Sequence, residues 1–590
     1  MSEPREAAAL AYHLRSKHHP RRFAASLGYL DWATQPEPFR SYAGAPRCEL
    51  PLSADGVTAR WSDLFAAASG RAPLPAAPVT REALAAFFEL SLGLTAWKRA
   101  GDARWPLRAN PSSGNLHPTE GWLVVPEGRA IDAGAWHYAV HDHALEQRVA
   151  FAAAAVSAVA SAPASAPAGA AAPPGFAVAL TSIHWREAWK YGERAFRYCQ
   201  HDVGHALGAL RFAAATLGWR AELLDELGDA PLERLLGLDR DGDFAHLAPA
   251  DRETAETLLW IATDGAPVDR AAALRWLRGQ VERSGEARYA GRANALSSDH
   301  VDWPAIAEVH AATVRAAALE APTHDDSPSP SLPPPPPPPL SLSPPLLPAH
   351  GERSAAAALI RGRRSAVAFD PRPTLPAADL FALLDATLPR PAAPPFDLWL
   401  AAPPLHLLLF VHRVDGVASG LYLLERGGSR ADPRDAADAF APSDELRAAL
   451  APDAEWARVD GAPRHLPLFR LRAGDFRDSA RIVSCRQEIA ADSAFSLGMV
   501  ARFAPELVGA PHAYRRLFWN AGLVGQALYL AAEAAGVRAT GIGCYFDDLV
   551  HELLGLRDAT FQSLYHFTVG TPVDDPRIAS EPPYGHLGKR

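Results

Sequence analysis

An internal repeat constrains this chain more than any other sequence feature. At an offset of 318 residues, which places Ala195 on Ala513, the segments 195–238 and 513–556 align without a gap. Identities in this window include Arg197 with Arg515, Gly204 with Gly522, and Leu235-Leu236-Gly237-Leu238 with Leu553-Leu554-Gly555-Leu556. Each copy is typical of a long helix that ends at a glycine, a short extended segment, a second helix and a strand. The sequence therefore predicts an α+β domain that is present twice, as an intramolecular pseudo-dimer.

Two low-complexity stretches set the expected domain boundaries. Residues near 152–174 are almost entirely Ala, Ser, Pro and Gly, which predicts a surface insertion. Seven consecutive prolines, Pro333–Pro339, favour a stiff extended spacer. We therefore expect a first domain at 1–320, a proline-rich linker at 321–350 and a second domain at 351–590.

Composition excludes several classes of function. The formal charge of −9, with both signs interspersed, argues against a nucleic-acid surface. No apolar run of membrane-spanning length occurs, so we expect a soluble, cytoplasmic protein that does not bind membranes. The four cysteines have no CxxC spacing, and the helical pair His201 and His205 lacks an accompanying acidic motif, so no metal site is expected.

The two copies carry different polar motifs. A loop at 108–120, which we interpret as connecting a helix to the strand Trp122–Val125, is rich in hydroxyl, amide and imidazole groups and suits a polar planar ligand. Nothing in the second half resembles it. Conversely, Gly541-Ile542-Gly543 of the second copy faces Leu223-Leu224-Asp225 of the first. Each half has therefore kept a different part of a possible site.

Five short motifs follow one another along the chain. They are Arg108-x-x-Pro111-Ser112-x-Gly114-x-Leu116-x-Pro118-x-Glu120, Lys190-Tyr191-Gly192-x-Arg194, Arg363-Arg364-Ser365, Cys485-x-Gln487 and Gly541-Ile542-Gly543 followed by Asp547-Asp548. In this order they resemble the nitroreductase-fold flavoproteins, and within them the SagB-type, azoline dehydrogenase-like branch. The resemblance covers most of residues 80–265 and 355–578.

The resemblance implies an FMN site at a dimer interface. It places the phosphate and ribityl chain on Arg363 and Ser365, which fits the donor fork of a guanidinium. It places the flavin ring against the loop residues Pro111, Ser112, Ser113 and Asn115, and along Gly541 and Gly543. A basic residue after the last strand usually completes the phosphate site, and Arg577 is the candidate. Because these parts come from different copies, we expect one composite FMN site per chain.

The resemblance also assigns a catalytic pair. Lys190 and Tyr191 match a Lys-Tyr pair that assists proton removal from substrate in azoline-oxidising members of the family. A desolvated lysine and a neighbouring phenol suit that role, while the flavin carries the hydride. The expected substrate is a small molecule or a modified peptide, with a biosynthetic enzyme as a candidate partner.

Two departures from the family pattern and two alternative functions stay open. The first copy has no Arg-x-Ser motif, since Arg21-Arg22-Phe23 lacks the serine, so a second FMN is not expected. Arg486 stands where glycine is expected between Cys485 and Gln487. One alternative is a nitro or quinone reductase that uses NAD(P)H as reductant. The other is a degenerate, non-catalytic binding protein.

Overall fold

The computed structural model describes residues 2–152, 171–316, 343–403, 405–426 and 442–588. Most of the insertion predicted near 152–174, and most of the linker predicted at 321–350, lie outside these residues. The domain boundaries therefore remain predictions, whereas the two domains themselves are described almost completely.

The first half contains eight α-helices and twelve strands among its described residues. They are α1 (Ser2–Arg15), β1 (Tyr42–Ala43), β2 (Arg47–Glu49), α2 (Arg81–Ser91), β3 (Leu94–Ala100), β4 (Ala103–Arg108), β5 (Thr119–Val125), β6 (Gly134–Ala139), β7 (Ala144–Ala150), β8 (Phe176–Ser182), α3 (His184–Tyr191), α4 (Ala195–Thr216), β9 (Arg220–Leu223), α5 (Asp229–Leu236), α6 (Asp241–Phe244), β10 (Thr254–Ala262), α7 (Arg270–Glu282), β11 (Arg288–Tyr289), β12 (Arg292–Ala293) and α8 (Pro304–Thr313).

The second half contributes the remaining elements. They are α9 (Ala356–Gly362), β13 (Leu375–Pro376), α10 (Ala377–Asp385), β14 (Leu405–Val411), β15 (Val414–Asp415), β16 (Gly420–Leu424), α11 (Asp444–Ala449), β17 (Ala457–Arg458), β18 (Leu468–Ala473), α12 (Arg477–Val483), α13 (Ile489–Asp492), β19 (Phe495–Arg502), α14 (Ala504–Leu507), α15 (Ala513–Ala534), β20 (Arg538–Ile542), α16 (Asp547–Leu554), β21 (Phe561–Gly570) and β22 (Ala579–Glu581).

Six strands of each main sheet share one order. It is β7-β6-β5-β8-β10-β9 in the first half and β18-β16-β14-β19-β21-β20 in the second; β11 and β2 pair with β7 at the edge of the first sheet, and β17 pairs with β18 at the edge of the second. Within the described ladders of these strands, all pairings are antiparallel. Helices α4 and α15 have identical lengths and begin at the two residues aligned by the repeat. The predicted α+β fold, with two fused domains forming a pseudo-dimer, is confirmed.

Helices α4 and α15 pack against each other at the pseudo-twofold axis, and glycines allow them to touch. A Cβ on Gly204 would lie 2.1 Å from the carbonyl oxygen of Trp519, and a Cβ on Gly522 would lie 2.1 Å from that of His201. Both helices are buried along almost their whole length. The repeated glycine is therefore explained by close helix approach, because any side chain there would push the backbones apart.

Each half extends a terminal segment onto the other half. We call these segments, α1 with Lys17 and strand β22, the arms. In α1, His13 Nε2 lies 3.2 Å from Oε1 of Gln562, and just beyond α1, Lys17 forms an ion pair of 2.8 Å with Asp548. In the opposite direction, β22 adds to the β3–β4 hairpin, with Ser580 opposite Lys98. The halves are thus interlocked at both ends of the chain.

The expectation that the 108–120 loop follows a helix is wrong. The apolar helix-like run is α2, but the β3–β4 hairpin lies between it and the loop, so the loop joins two strands. Gly101, with a φ of +57°, makes the tight turn that permits this hairpin. Among the described residues, no helix is both long enough and apolar enough to cross a membrane.

Candidate functional site

A cavity of about 720 Å³ opens where the two halves meet. Its walls combine the loop after β4 and one face of α4 from the first half with the segment after α9, helix α15, strand β20 and the stretch before β22 from the second. The lining side chains that carry the argument are Arg108, Pro111, Ser112, Ser113, Gly114, Asn115, His117, Asp202 and His205 from the first half, and Arg363, Arg364, Ser365, Tyr529, Arg538, Gly541 and Tyr565 from the second.

The first-half loop owes its shape to three residues in left-handed conformation. Gly114, Asn115 and His117 have φ values of +61°, +58° and +52°. The Ser112 hydroxyl accepts a hydrogen bond of 2.8 Å from the backbone N–H of His117, which closes the loop. Asparagine tolerates this conformation better than most residues, and glycine adopts it freely, which explains their use here.

Arg363 reaches across the interface to this loop. Its Nη2 donates to the carbonyl oxygen of Arg108 at 3.0 Å, and its guanidinium lies over the ring of Tyr529 at 5.0 Å. The side chain is buried, and its Nε has no hydrogen-bond partner among the described residues. Burial lowers the pKa of Arg363 below its usual range. A buried cation with an unused donor favours an anionic ligand.

Tyr529 connects the remaining second-half residues. Its hydroxyl lies 2.8 Å from Oγ of Ser365 and accepts a hydrogen bond of 2.9 Å from the backbone N–H of Gly541. A Cβ on Gly541 would lie 2.0 Å from the hydroxyl of Tyr565, so this position has no room for a side chain. Sequence reasoning missed Tyr529. The repeat could have drawn attention to it, since its aligned residue in the first copy, Arg211, is chemically different.

Two buried carboxylic acids lie behind the loop, and sequence reasoning missed both. The hydroxyl of Ser112 is 3.4 Å from Oε1 of Glu187, and the backbone N–H of Ser113 donates to Oδ1 of Asp202 at 3.4 Å. Each acid keeps one oxygen without a partner among the described residues. Burial, reinforced for Glu187 by the neighbouring Asp202, raises both pKa values well above the usual range. At least one of these acids therefore holds a proton near neutral pH.

Lys190 and Tyr191 lie against the loop at Gly114 rather than in the cavity wall. A Cβ on Gly114 would be 2.8 Å from the Tyr191 hydroxyl and 3.1 Å from Nζ of Lys190. Burial raises the pKa of Tyr191 well above its usual range, so its phenol keeps its proton. The structure thus brings this pair next to the loop but separates it from the cavity by Gly114.

Two other predicted site residues lie away from the cavity lining. A Cβ on Gly543 would collide with the ring of Tyr198, and the carbonyl oxygen of Gly543 accepts hydrogen bonds from Arg194. Arg577 is exposed, and its guanidinium pairs with Asp575 at 2.7 Å. Arg538, which sequence reasoning did not single out, lines the cavity instead.

Arg486 stands where glycine is expected between Cys485 and Gln487, and the backbone conformation explains that expectation. Cys485 and Arg486 both adopt left-handed backbone conformation, with φ values of +54° and +61°. This is the conformation that glycine would adopt at lower cost. The turn is therefore retained, at the cost of some backbone strain.

The pseudo-equivalent position on the other side of the axis is filled. Arg211, the counterpart of Tyr529, forms two hydrogen bonds of 2.8 Å with Asp397. Asp397 belongs to the turn Phe396–Leu398, which precedes β14 as Ser113–Asn115 precedes β5. Phe396 and Leu398 are buried there. The two faces of the pseudo-dimer therefore differ in chemistry.

The histidine pair on α4 bonds to protein groups rather than to each other. His201 Nε2 lies 3.0 Å from the carbonyl oxygen of Leu564, and His205 Nε2 lies 3.1 Å from the hydroxyl of Tyr565. Burial lowers the pKa of His205 to about 3, so its ring is neutral at physiological pH. A neutral His205 in the cavity wall can accept or donate a hydrogen bond, but adds no charge.

Comparisons with known proteins agree with this fold. A family profile described as "Nitroreductase family" matches residues 69–248 and 360–571, about two thirds of the chain. A putative nitroreductase from Anabaena variabilis is 21% identical, with 96% of this chain and 99% of that chain covered and a TM-score of 0.62. No curated protein matches the chain in sequence.

Two further solved structures match less than half of the chain. One is a putative nitroreductase in complex with FMN from Exiguobacterium sibiricum, 16% identical, with 37% of this chain and 88% of that chain covered and a TM-score of 0.19. The other is the E. coli microcin synthetase McbBCD complex with truncated pro-MccB17 bound, 17% identical, with 44% and 94% covered and a TM-score of 0.24.

Proposed function

Because this chain belongs to the nitroreductase family, we propose that it is an FMN-dependent oxidoreductase with one composite FMN site per chain. The observation that carries the proposal is the interface cavity, which collects Arg363, Ser365 and Gly541 from one half and the Pro111–Asn115 loop from the other. Its volume of about 720 Å³ is in the range of small-molecule and cofactor pockets.

The lining fits the parts of FMN. Arg363 offers a buried guanidinium with an unused donor, and Lys98 and Arg364 add positive charge to the lining, as does Arg538, which pairs with Asp574 at 2.7 Å; this suits a phosphate. Gly541 lines the cavity without a side chain and packs against the hydroxyl of Tyr565, so a ligand ring can approach its backbone. FMN, when bound, would supply hydride transfer.

The protein's own part in the reaction is binding, orientation and control of protons. The protonated phenol of Tyr191 and the side-chain amine of Lys190 lie beside Gly114, on the side of the loop away from the cavity, so they can act on a ligand only through the loop or after it moves. The acids Glu187 and Asp202 contact the same loop and keep at least one proton between them. Ser112 joins the acids to the cavity, so it can pass a hydrogen bond from them to a bound ligand.

For the substrate, we propose an azoline or another C–N bond in a peptide-derived natural product, oxidised in the manner of SagB-type dehydrogenases. The support is the motif set that carries this resemblance, with Lys190 and Tyr191 beside the loop. A cytoplasmic location and a biosynthetic partner enzyme belong to the same proposal.

The alternative is an NAD(P)H-dependent nitro or quinone reductase, and the description of the matching family favours it. The two activities differ in what reduces the flavin. Anaerobic mixing of the FMN-loaded protein with an azoline-containing peptide, and separately with NADPH, distinguishes them by the loss of flavin absorbance. Reduction by the peptide alone supports the dehydrogenase, and reduction by NADPH alone supports the reductase.

Cofactor stoichiometry tests the composite site directly. The full chain is reconstituted with FMN, freed of excess cofactor and denatured, and the released FMN is divided by the moles of protein. We expect a ratio near one, because the pseudo-equivalent position holds the Arg211–Asp397 pair. A ratio near two would contradict the single site, and a ratio near zero would leave the non-catalytic binding protein.

A further inference from the structure

Two cysteines lie side by side just beyond the glycine segment of strand β20. Sγ of Cys544 is 2.8 Å from Sγ of Cys485, although the two residues are 59 positions apart in the chain. Both side chains are half-buried, so a small reagent can approach them from solvent. The other two cysteines, Cys48 and Cys199, belong to strand β2 and helix α4.

The backbone around the pair is held in an uncommon conformation. Cys485 and Arg486 occupy the left-handed region, which is unfavourable for non-glycine residues. The side-chain amide of Gln487 donates hydrogen bonds to the carbonyl oxygens of Ser484 and Cys544, at 2.9 and 3.1 Å. These two hydrogen bonds connect the turn that contains Cys485 to the segment that contains Cys544. Strained backbone that the surroundings maintain is typical of functional positions.

The charges around Cys544 favour its thiolate. The hydrogen bond shared with Cys485 lowers the pKa of Cys544 below its usual range, and His18 and Arg194 add to the effect. The same hydrogen bond raises the pKa of Cys485. A thiolate next to a thiol is the arrangement in which one sulfur attacks and the other resolves.

We propose that Cys485 and Cys544 form a reversible dithiol–disulfide pair that is oxidised by low-molecular-weight disulfides. The sulfur of Cys544 attacks one sulfur of the small disulfide, whose S–S bond breaks and releases one thiol. Cys485 then gives up its proton and attacks Cys544, and a second small thiol leaves. Two electrons pass from the protein sulfurs to the added disulfide, and the two released thiolates are protonated by the proton of Cys485 and by one proton from solvent.

The pair is placed to act on the cavity. Cys544 follows Gly543, whose carbonyl oxygen is held by Arg194, and Gly541 lines the cavity three residues earlier. A bond to Cys485 would restrain this segment. Only this consequence for ligand binding rests on the proposed function; formation of the disulfide does not.

The test uses the full chain and glutathione buffers of graded oxidised-to-reduced ratio, without added flavin. After acid quenching, free thiols are alkylated, and the digest is examined by mass spectrometry with and without reduction. We expect a peptide that links Cys485 to Cys544, with Cys48 still alkylated. The link should return to two free thiols in reduced glutathione, and hydrogen exchange of residues 541–547 should be slower in the oxidised form.

Matched variants complete the test. Cys485→Ser should stop at a glutathione adduct on Cys544, whereas Cys48→Ser should oxidise as the wild-type chain does. Wild-type protein in which both thiols stay alkylatable in fully oxidised glutathione would overturn the proposal, and so would a link from either cysteine to Cys48. Because no flavin is present, these results are independent of the FMN measurements.

Discussion

Arg363 belongs to the second half of the chain, and its side chain contacts the first half at the cavity. It donates to the carbonyl oxygen of Arg108 across the interface while its Nε has no partner among the described residues. We expect Arg363→Ala to weaken FMN binding by roughly tenfold to a hundredfold, because a hydrogen bond to a charged group contributes about 1.5–3 kcal/mol. Quenching of FMN fluorescence during titration of the apoprotein measures this change.

The matched control is Arg372→Ala. Arg372 is 86% exposed and pairs with Asp370 at 2.7 Å, outside the cavity lining. This variant should bind FMN as the wild type does, and Arg363→Lys should lie between wild type and Arg363→Ala because it keeps the charge but not the planar donor fork. Equal FMN affinity of wild type and Arg363→Ala would remove Arg363 from the site.

Asp202 should make the stability of the folded protein depend on pH. Burial raises the pKa of Asp202 to about 8 in the folded protein, whereas an unfolded aspartate titrates near pH 4. Between these values the folded state holds a proton that the unfolded state has lost, so the contribution of Asp202 to stability decreases as the pH rises from about 4 to about 8. Above that window it stays constant.

Asp202→Asn keeps the side chain neutral at every pH and removes this dependence. The variant should gain thermal stability relative to wild type as the pH rises through the same window, as measured by the unfolding midpoint of the apoprotein. Asp241→Asn, at a carboxylate that is 86% exposed, should follow the wild-type curve. Parallel curves for wild type and Asp202→Asn would show that Asp202 carries no trapped proton.

Residue-scale prediction from sequence depended on contrast between the copies and on the resemblance to the family. The Pro111–Asn115 loop and Gly541 differ between the copies, the resemblance assigned Arg363 and Ser365, and the structure places all of them around one cavity. Glu187 and Asp202 did not stand out, because a carboxylate in a helix is common and only tertiary burial makes it unusual. Arg577, for which the sequence position suggests a phosphate contact, pairs with Asp575 outside the cavity lining, and that contact stays a prediction.

At the scale of elements, the crossing of helices α4 and α15 sets the geometry of the cavity. Asp202 and His205 lie on α4 and Tyr529 lies on α15, so any change in helix separation moves them apart. Gly522→Ala should lower the free energy of unfolding by about 1–3 kcal/mol, because its Cβ would lie 2.1 Å from the carbonyl oxygen of His201. The FMN affinity of Gly522→Ala should also be lower than that of the wild type.

Gly279→Ala in helix α7 is the control, for which we expect a gain in stability instead of a loss. A Cβ there meets nothing within 4 Å, and alanine in a helix interior is favoured over glycine by about 0.5–1 kcal/mol. Thermal melts of both variants should therefore move in opposite directions. A Gly522→Ala protein as stable as wild type would show that the helix pair can relax without loss.

The repeat predicted the elements more securely than their connections. Helices α4 and α15, strands β9 and β20, and helices α5 and α16 keep the register of the aligned sequences. The loop before β5 was misplaced after a helix, since the short β3–β4 hairpin is stabilised by pairing with β22 from the far end of the chain. Local sequence carries no signal for a partner strand that lies hundreds of residues away.

At the scale of the whole molecule, the arms make the two halves interdependent. Helix α1 packs on the second half, and β22 extends a sheet of the first. A protease site placed within the predicted linker at 321–350 should therefore give a nicked protein whose halves elute together in size-exclusion chromatography and keep FMN. Separate elution of the halves would contradict this interlocking.

The same halves expressed alone should not bind FMN, because each lacks one wall of the cavity. Residues 1–320 carry the loop without Arg363, and residues 351–590 carry Arg363 without the loop. Mixing them tests whether the site can reassemble. FMN binding by either half alone would mean that the cavity is not the cofactor site.

The different residues at the paired positions 211 and 529 have a consequence for protein engineering. In a homodimer, each substitution enters two symmetry-related sites, so a change that suits one ligand face must also be tolerated at its twin. Here Tyr529 can be varied while Arg211 keeps its bond to Asp397. A library built on the ligand face of this chain therefore samples one site at a time, and half of the interface acts as a constant scaffold for the other.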